Sequence, residues 1–154
     1  MKRQKSNQGI LSPDPLNFRS FGKIIGYPHK SSKGKVRNLW CIVHVEPARV
    51  GWRVAYLVLR DRTLGQMGCH PHSDETFEPV KGRSLLFVSL KKDLKGIKCF
   101  YLDKPLIVYK GVWHNLITLD PETEIKITEN NHVASRHWPL GFRCRSYQDL
   151  LRCI

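Results

Sequence analysis

The sequence predicts an all-β fold, a sandwich or barrel of short strands. Three observations predict it. Short apolar segments rich in Val, Ile, Leu and aromatics follow one another through residues 38–129. Turn-forming residues separate them: Pro47, Gly51, Gly65, Gly68, Gly82, Gly96, Pro105, Gly111 and Pro121. No helical periodicity of useful length occurs in the same interval.

Taken in order, the chain opens with a polar stretch carrying Gly9, Pro13 and Pro15, which predicts a flexible basic leader over residues 1–16. Asn17 to Gly26 predicts a turn of helix and a first strand, and His29 to Lys35 a basic loop. Strands are then expected at Leu39–Val45, Trp52–Leu59, Ser84–Leu90, Lys98–Leu102, Pro105–Tyr109, Asn115–Leu119 and Glu124–Thr128. The end of Trp52–Leu59 is continuously apolar, which suits a strand covered on both faces. The main domain spans residues 17–142. Residues 143–154 are an appendage with one or two turns of helix at Ser146–Leu151.

The net charge of +13 sits mostly outside this interval. Residues 1–37 hold nine Lys/Arg and one Asp/Glu, whereas residues 38–129 hold thirteen and eleven. A basic tail gives non-specific attraction to RNA or an anionic surface, not a folded nucleic-acid site. No nucleic-acid-binding motif is found. No apolar run reaches the roughly 20 residues of a membrane-spanning helix, and none follows the basic start as in a secretory signal. The five cysteines, Cys41, Cys69, Cys99, Cys144 and Cys153, contain no C-x-x-C pair. Reduced, mostly buried thiols in a cytoplasmic protein are expected.

Chemistry concentrates in His70-Pro71-His72-Ser73-Asp74-Glu75-Thr76-Phe77-Glu78-Pro79-Val80-Lys81-Gly82 and in Tyr109-Lys110-Gly111-Val112-Trp113-His114-Asn115. The spacing His70, Glu75, Gly82, followed by Gly111 and His114, resembles the two motifs of the cupins. That resemblance implies a double-stranded β-helix (jelly-roll) barrel in which both segments face one lumen. Two imidazoles and a carboxylate there can hold a divalent ion such as Ni, Mn, Fe or Zn. His70, His72, Glu75 and His114 are the candidate ligands. The chain departs from the motif at Gly68, where cupins carry another histidine. His72 is two positions downstream instead, as a replacement nitrogen ligand or as a side chain in solvent. Asp74 and Glu78 are read as exposed turn charges, and Trp113 and Phe77 as core aromatics. Cys69 is expected on the face opposite His70.

The sequence also resembles the ureidoglycolate lyases. The matching residues are Phe18-x-x-Phe21-Gly22-x-x-Ile25, His70-Pro71, Glu75-x-Phe77-x-Pro79-x-x-Gly82, and Val112-Trp113-His114 leading to Leu119-Asp120. They span about residues 17–130. The resemblance implies a carbon–nitrogen lyase that splits ureidoglycolate into glyoxylate and urea. His70, Glu75 and His114 would be catalytic, and Arg60, Lys110 and Trp113 would bind a small carboxylate substrate. No nucleotide cofactor is implied. A homodimer is, because cupin barrels commonly pair through edge strands. The alternatives are another metal-dependent cupin enzyme, an isomerase or dioxygenase, or a cupin that binds a small acid or sugar without turnover.

Overall fold

The computed structural model describes residues 9–25, 42–47 and 50–153. The first half of the expected leader, the basic loop at His29–Lys35 and Cys41 lie outside them. So does the beginning of the strand expected at Leu39–Val45, whose described part, from Ile42, is irregular rather than a strand.

Ten strands are described: β1 (Gly22–Ile24), β2 (Trp52–Leu59), β3 (Leu64–Cys69), β4 (Glu75–Lys81), β5 (Ser84–Ser89), β6 (Lys98–Tyr101), β7 (Leu106–Val108), β8 (Trp113–Thr118), β9 (Thr123–Asn130) and β10 (Arg136–Cys144). One helix, α1 (Tyr147–Arg152), follows. The strands form two antiparallel sheets, in the orders β1-β7-β4-β9-β2 and β10-β3-β8-β5-β6. Their pairing is nested: β5 with β6, β4 with β7, β3 with β8, β2 with β9. One long hairpin rolled on itself gives this order, which is a double-stranded β-helix.

Alternation along the strands sets up two cores. Phe77, Leu86, Val88, Leu106, Leu116 and Ile125 point between the sheets. Phe18 and Phe21 close that core, with Phe18 edge-on to Phe100 at 5.2 Å between ring centroids. A second core lies on the other face of the β10–β6 sheet and contains Met67, Leu85, Phe87, Ile117, Tyr147 and Leu150. All six residues of β5 are buried, because that strand is covered from both sides. The expected appendage is therefore part of the fold: Tyr147 and Leu150 of α1 are buried at 1% and 0% exposure. Ser146 caps the helix by accepting from the Asp149 backbone N–H at 3.1 Å.

Three strands were not expected from the sequence. β3 reads Leu-Gly-Gln-Met-Gly-Cys, and its two glycines imitate turns. β4 carries Glu75, Glu78 and Pro79, which mask the strand, and its inward alternation consists of Glu75 and Phe77, while Val80 is exposed. β10, with Pro139 and Gly141, lacks strand propensity and forms at a sheet edge. Between β4 and β5, Gly82 has φ of 79°, and an added Cβ there would lie 2.8 Å from the Glu122 carbonyl oxygen. Only glycine suits that corner.

Candidate metal centre and cavity

β4 and β8 belong to opposite sheets and bring Glu75 and His114 face to face across the lumen. His70 follows β3 and joins them from the loop. His114 Nε2 lies 3.0 Å from Glu75 Oε2, and His70 Nε2 lies 3.4 Å from the same oxygen. The two imidazole centroids are 5.2 Å apart. Phe77, next along the inner face of β4, stands edge-on to His114 at 5.6 Å.

Backbone contacts set the orientation of the rings. His114 Nδ1 is 3.0 Å from the Val112 carbonyl, which can only accept, so the proton sits on Nδ1. In the neutral ring Nε2 then presents a lone pair to Glu75. His70 Nδ1 lies 3.4 Å from the Ala134 carbonyl and 3.2 Å from Ser135 Oγ, which assigns the same tautomer. Glu75 Oε2 is buried and accepts no hydrogen bond among the described residues, despite its short approach to His114. Three potential ligand atoms thus converge on one point of the lumen.

That arrangement fits a divalent cation. Metal–nitrogen and metal–oxygen bonds of about 2.0–2.2 Å meeting near right angles separate neighbouring donors by about 3 Å. The donor atoms of His70, Glu75 and His114 all lie within 4.8 Å of one another. Two imidazoles and one carboxylate on one side leave positions open for substrate.

The structure does not bring His72 into this group. His72 is exposed on a bend after Pro71, and its carbonyl accepts from Asn130 Nδ2 at 3.1 Å. The strand that would have kept it on the face of His70 ends at Cys69. Neither expected carboxylate-binding cation lines the cavity. Arg60 is exposed and donates to Glu122 Oε2 at 3.1 Å. Lys110 is half-exposed and lies 3.6 Å from Glu46 Oε2. Trp113 points away from His114 into the second core, edge-on to Trp138 at 6.1 Å. Cys69 also belongs to that core, as expected, and burial pushes its thiol pKa up.

Asp74 has a role that its turn-like context concealed. Its carboxylate accepts from the Lys110 backbone N–H at 2.7 Å and lies 2.8 Å from His44 Nε2. It ties the loop before β4 to the turn before β8, and so fixes the approach of Glu75 to His114. Glu78 pairs with Lys126 at 2.8 Å on the outer face.

His70, Glu75 and His114 line a cavity of about 330 Å³. Leu57, Leu59, Phe77, Leu116 and Ile127 supply its apolar wall, and Asp61, Gln66, Asn115, Ser135 and His137 its polar one. Gln66, Ser135 and His137 were not singled out from the sequence, because β3 and β10 were not recognised as strands.

Nested strand pairing and a two-histidine, one-carboxylate group in the lumen settle the architecture. It is a cupin-type barrel. No family model and no curated protein matches the chain. Solved structures resembling this barrel include a 3,4-ketoisomerase from Helicobacter canadensis, at 14% identity over 66% of this chain and 73% of that one, with a TM-score of 0.44. An oxalate decarboxylase variant from Bacillus subtilis matches at 14% identity over 59% of this chain and 24% of that one, TM-score 0.46. The vicilin from Solanum melongena matches at 16% identity over 57% and 24%, TM-score 0.44. The finer likeness to ureidoglycolate lyases rests on the sequence motifs alone.

Proposed function

We propose that this protein is a metal-dependent cupin enzyme that moves protons on a small hydroxy- or keto-carboxylate. The supporting observation is the convergence of His70, Glu75 and His114, with Glu75 Oε2 buried and without a hydrogen-bond partner among the described residues. A bound divalent ion supplies a Lewis acid for a substrate oxygen. His114, locked by the Val112 carbonyl, and His70, held by the Ala134–Ser135 backbone and hydroxyl, keep their Nε2 atoms aimed inward. Phe77, Leu116 and Ile127 exclude water from one side. With those ligands committed, Asp61 and His137 in the polar wall are the groups placed to accept or return a proton.

Two reactions use this arrangement. An isomerase moves the C–H proton of a hydroxyl-bearing carbon to the neighbouring carbonyl carbon, while the hydroxyl proton is lost and the former carbonyl oxygen is protonated. A carbon–nitrogen lyase takes the substrate hydroxyl proton; the carbonyl forms, the C–N bond breaks with its electron pair going to nitrogen, and that nitrogen is protonated as urea leaves. The motif positions of Glu75 and His114 favour the second reaction, with ureidoglycolate as substrate. The homodimer expected from the sequence has a supporting feature: β2 is an edge strand whose outer face exposes Trp52, Val54, Tyr56 and Val58.

Elemental analysis with two assays tests the reading. We expect one divalent ion per chain, absent in His70→Ala/His114→Ala. We also expect either urea release from ureidoglycolate or solvent deuterium uptake into a small keto-acid. Protein that takes up no metal and catalyses neither reaction sinks the enzyme reading and leaves a binding cupin.

A further inference from the structure

A carboxylate entering this cavity needs a cation, and neither Arg60 nor Lys110 lines it. The strand register shows where space for the substrate lies. His137 of β10 pairs with Gly68 of β3, and Gly68 pairs with His114 of β8. These three residues form one row across the sheet, on the lumen face. With strands about 4.8 Å apart, the Cα atoms of His114 and His137 stand roughly 10 Å apart, with no side chain between them. A Cβ at Gly68 would meet nothing closer than the His114 carbonyl oxygen at 3.8 Å. Steric crowding is therefore not what keeps this position bare.

Below this row the sheet opens. The paired positions of β3 and β8 end at Gly68, and Asn115 Nδ2 bridges the gap by donating to the Gln66 carbonyl at 2.7 Å. A second cavity of about 300 Å³ sits at the opening and shares Asp61, Gln66 and Asn115 with the first. Arg143 lines it. Two features put Arg143 there. A register shift between Pro139 and Cys144, with φ of 80° at Gly141, kinks β10. Such bulges re-aim side chains beside functional sites. On β3, Gly65 leaves room for the arginine stem: its missing Cβ would lie 3.3 Å from Arg143 Cγ and 3.7 Å from Nε. Arg143 has no ion-pair partner among the described residues, a state it shares with Arg19, Arg62, Arg136 and Arg145, none of which lines this recess. An unpaired guanidinium in a polar recess is suited to bidentate capture of a carboxylate.

We propose that substrate lies across the bare position at Gly68, with its reacting end at His70, Glu75 and His114 and its carboxylate on Arg143. The recess also contains Asp61, so a ligand offering both an anion and a hydrogen-bond donor fits better than a simple polyanion. This assignment rests on the small-carboxylate reading above.

Calorimetric titration with succinate, and with succinamide as its uncharged isostere, tests it on the 154-residue chain. We expect succinate to bind at least about ten-fold more tightly than succinamide. Arg143→Gln removes roughly that factor, as loss of a charge-assisted hydrogen bond does. Arg143→Lys restores part of it, and Arg60→Gln leaves it unchanged. Gly68→Leu fills the seat and abolishes binding; circular dichroism and the melting temperature verify that it is folded. Wild-type affinity in Arg143→Gln or Gly68→Leu overturns the proposal, as does a wild-type protein that does not distinguish the probes. Metal content and urea release, measured on the same preparations, keep the two readings apart. Succinate binding in the expected pattern without metal or turnover sinks the enzyme and retains this site. Urea release with an unchanged KM in Arg143→Gln does the reverse.

Discussion

His114 Nε2 stands 3.0 Å from Glu75 Oε2 although the two residues belong to opposite sheets. The contact brings together two groups that, without a cation or a proton, repel. The barrel holds them in place through the Val112 carbonyl on one side and the Asp74 loop tie on the other.

Glu75→Gln is therefore expected to stabilise the metal-free protein while abolishing its response to metal. The amide of Gln donates to a bare imidazole nitrogen and removes an unsatisfied buried carboxylate oxygen, a gain of about 1–2 kcal/mol. Melting curves with and without a divalent ion check this. Wild type should rise in Tm with ion, and the variant should start higher and stay flat.

The two positive-φ glycines flanking the site separate backbone strain from steric clash. Gly82→Ala faces both, with φ of 79° and a contact 2.8 Å from the Glu122 carbonyl, and should cost about 2 kcal/mol or more. Gly111→Ala has φ of 84° but nothing within 4 Å, so about 1 kcal/mol is expected. Urea denaturation of both variants measures the difference.

The C-terminal helix should behave as core. Leu150→Ala removes a side chain with 0% exposure and is expected to cost about 2–5 kcal/mol. Leu151→Ala, at 41% exposure, should fall within about 0.5 kcal/mol of wild type. Equal effects in chemical denaturation would show that α1 does not seal the second core.

Acid should loosen the corner where Arg83 meets Asp120. Arg83 Nη2 donates to Asp120 Oδ1 at 2.7 Å, and the Arg83 backbone N–H donates to Oδ2 at 2.8 Å. Hydrogen bonding from the Arg83 side chain holds the Asp120 carboxyl below its usual pKa. A lowered folded-state pKa contributes stability that is present above the unfolded value, near 3.9, and lost as pH falls through the folded one. Asp120→Asn should flatten the stability profile below about pH 4 and be unchanged in shape near neutrality.

The sequence carried the fold class and the grouping of His70, Glu75 and His114, but not the walls around them. β2, β5, β8 and β9 were legible because Val, Ile, Leu and aromatic residues mark them. His70, Glu75 and His114 were legible because they stand at motif spacing. Gly68 was legible only as a departure from that motif, whereas Gln66, His137 and Arg143 were not legible at all, because they lie on β3 and β10, whose glycines and proline suppress the strand signal. Arg60 and Lys110 are the cations that the resemblance to ureidoglycolate lyases implies for a substrate carboxylate. The barrel turns both outward, to Glu122 and Glu46. Distance along the chain is a poor guide to a lumen lined by strands from both ends of it.

β5 lies buried on both faces between the two cores. A cavity in the lumen is a weakness in a small domain, since the atoms around it forgo packing partners. Here cohesion is stored behind the sheet, where Phe87, Ile117, Tyr147 and Leu150 pack without any duty to a ligand. Amide exchange should accordingly be slowest along β5 and faster at β10. The front of the sheet is left at liberty to trade one lining residue for another, so chemistry can change over evolutionary time without the foundation moving.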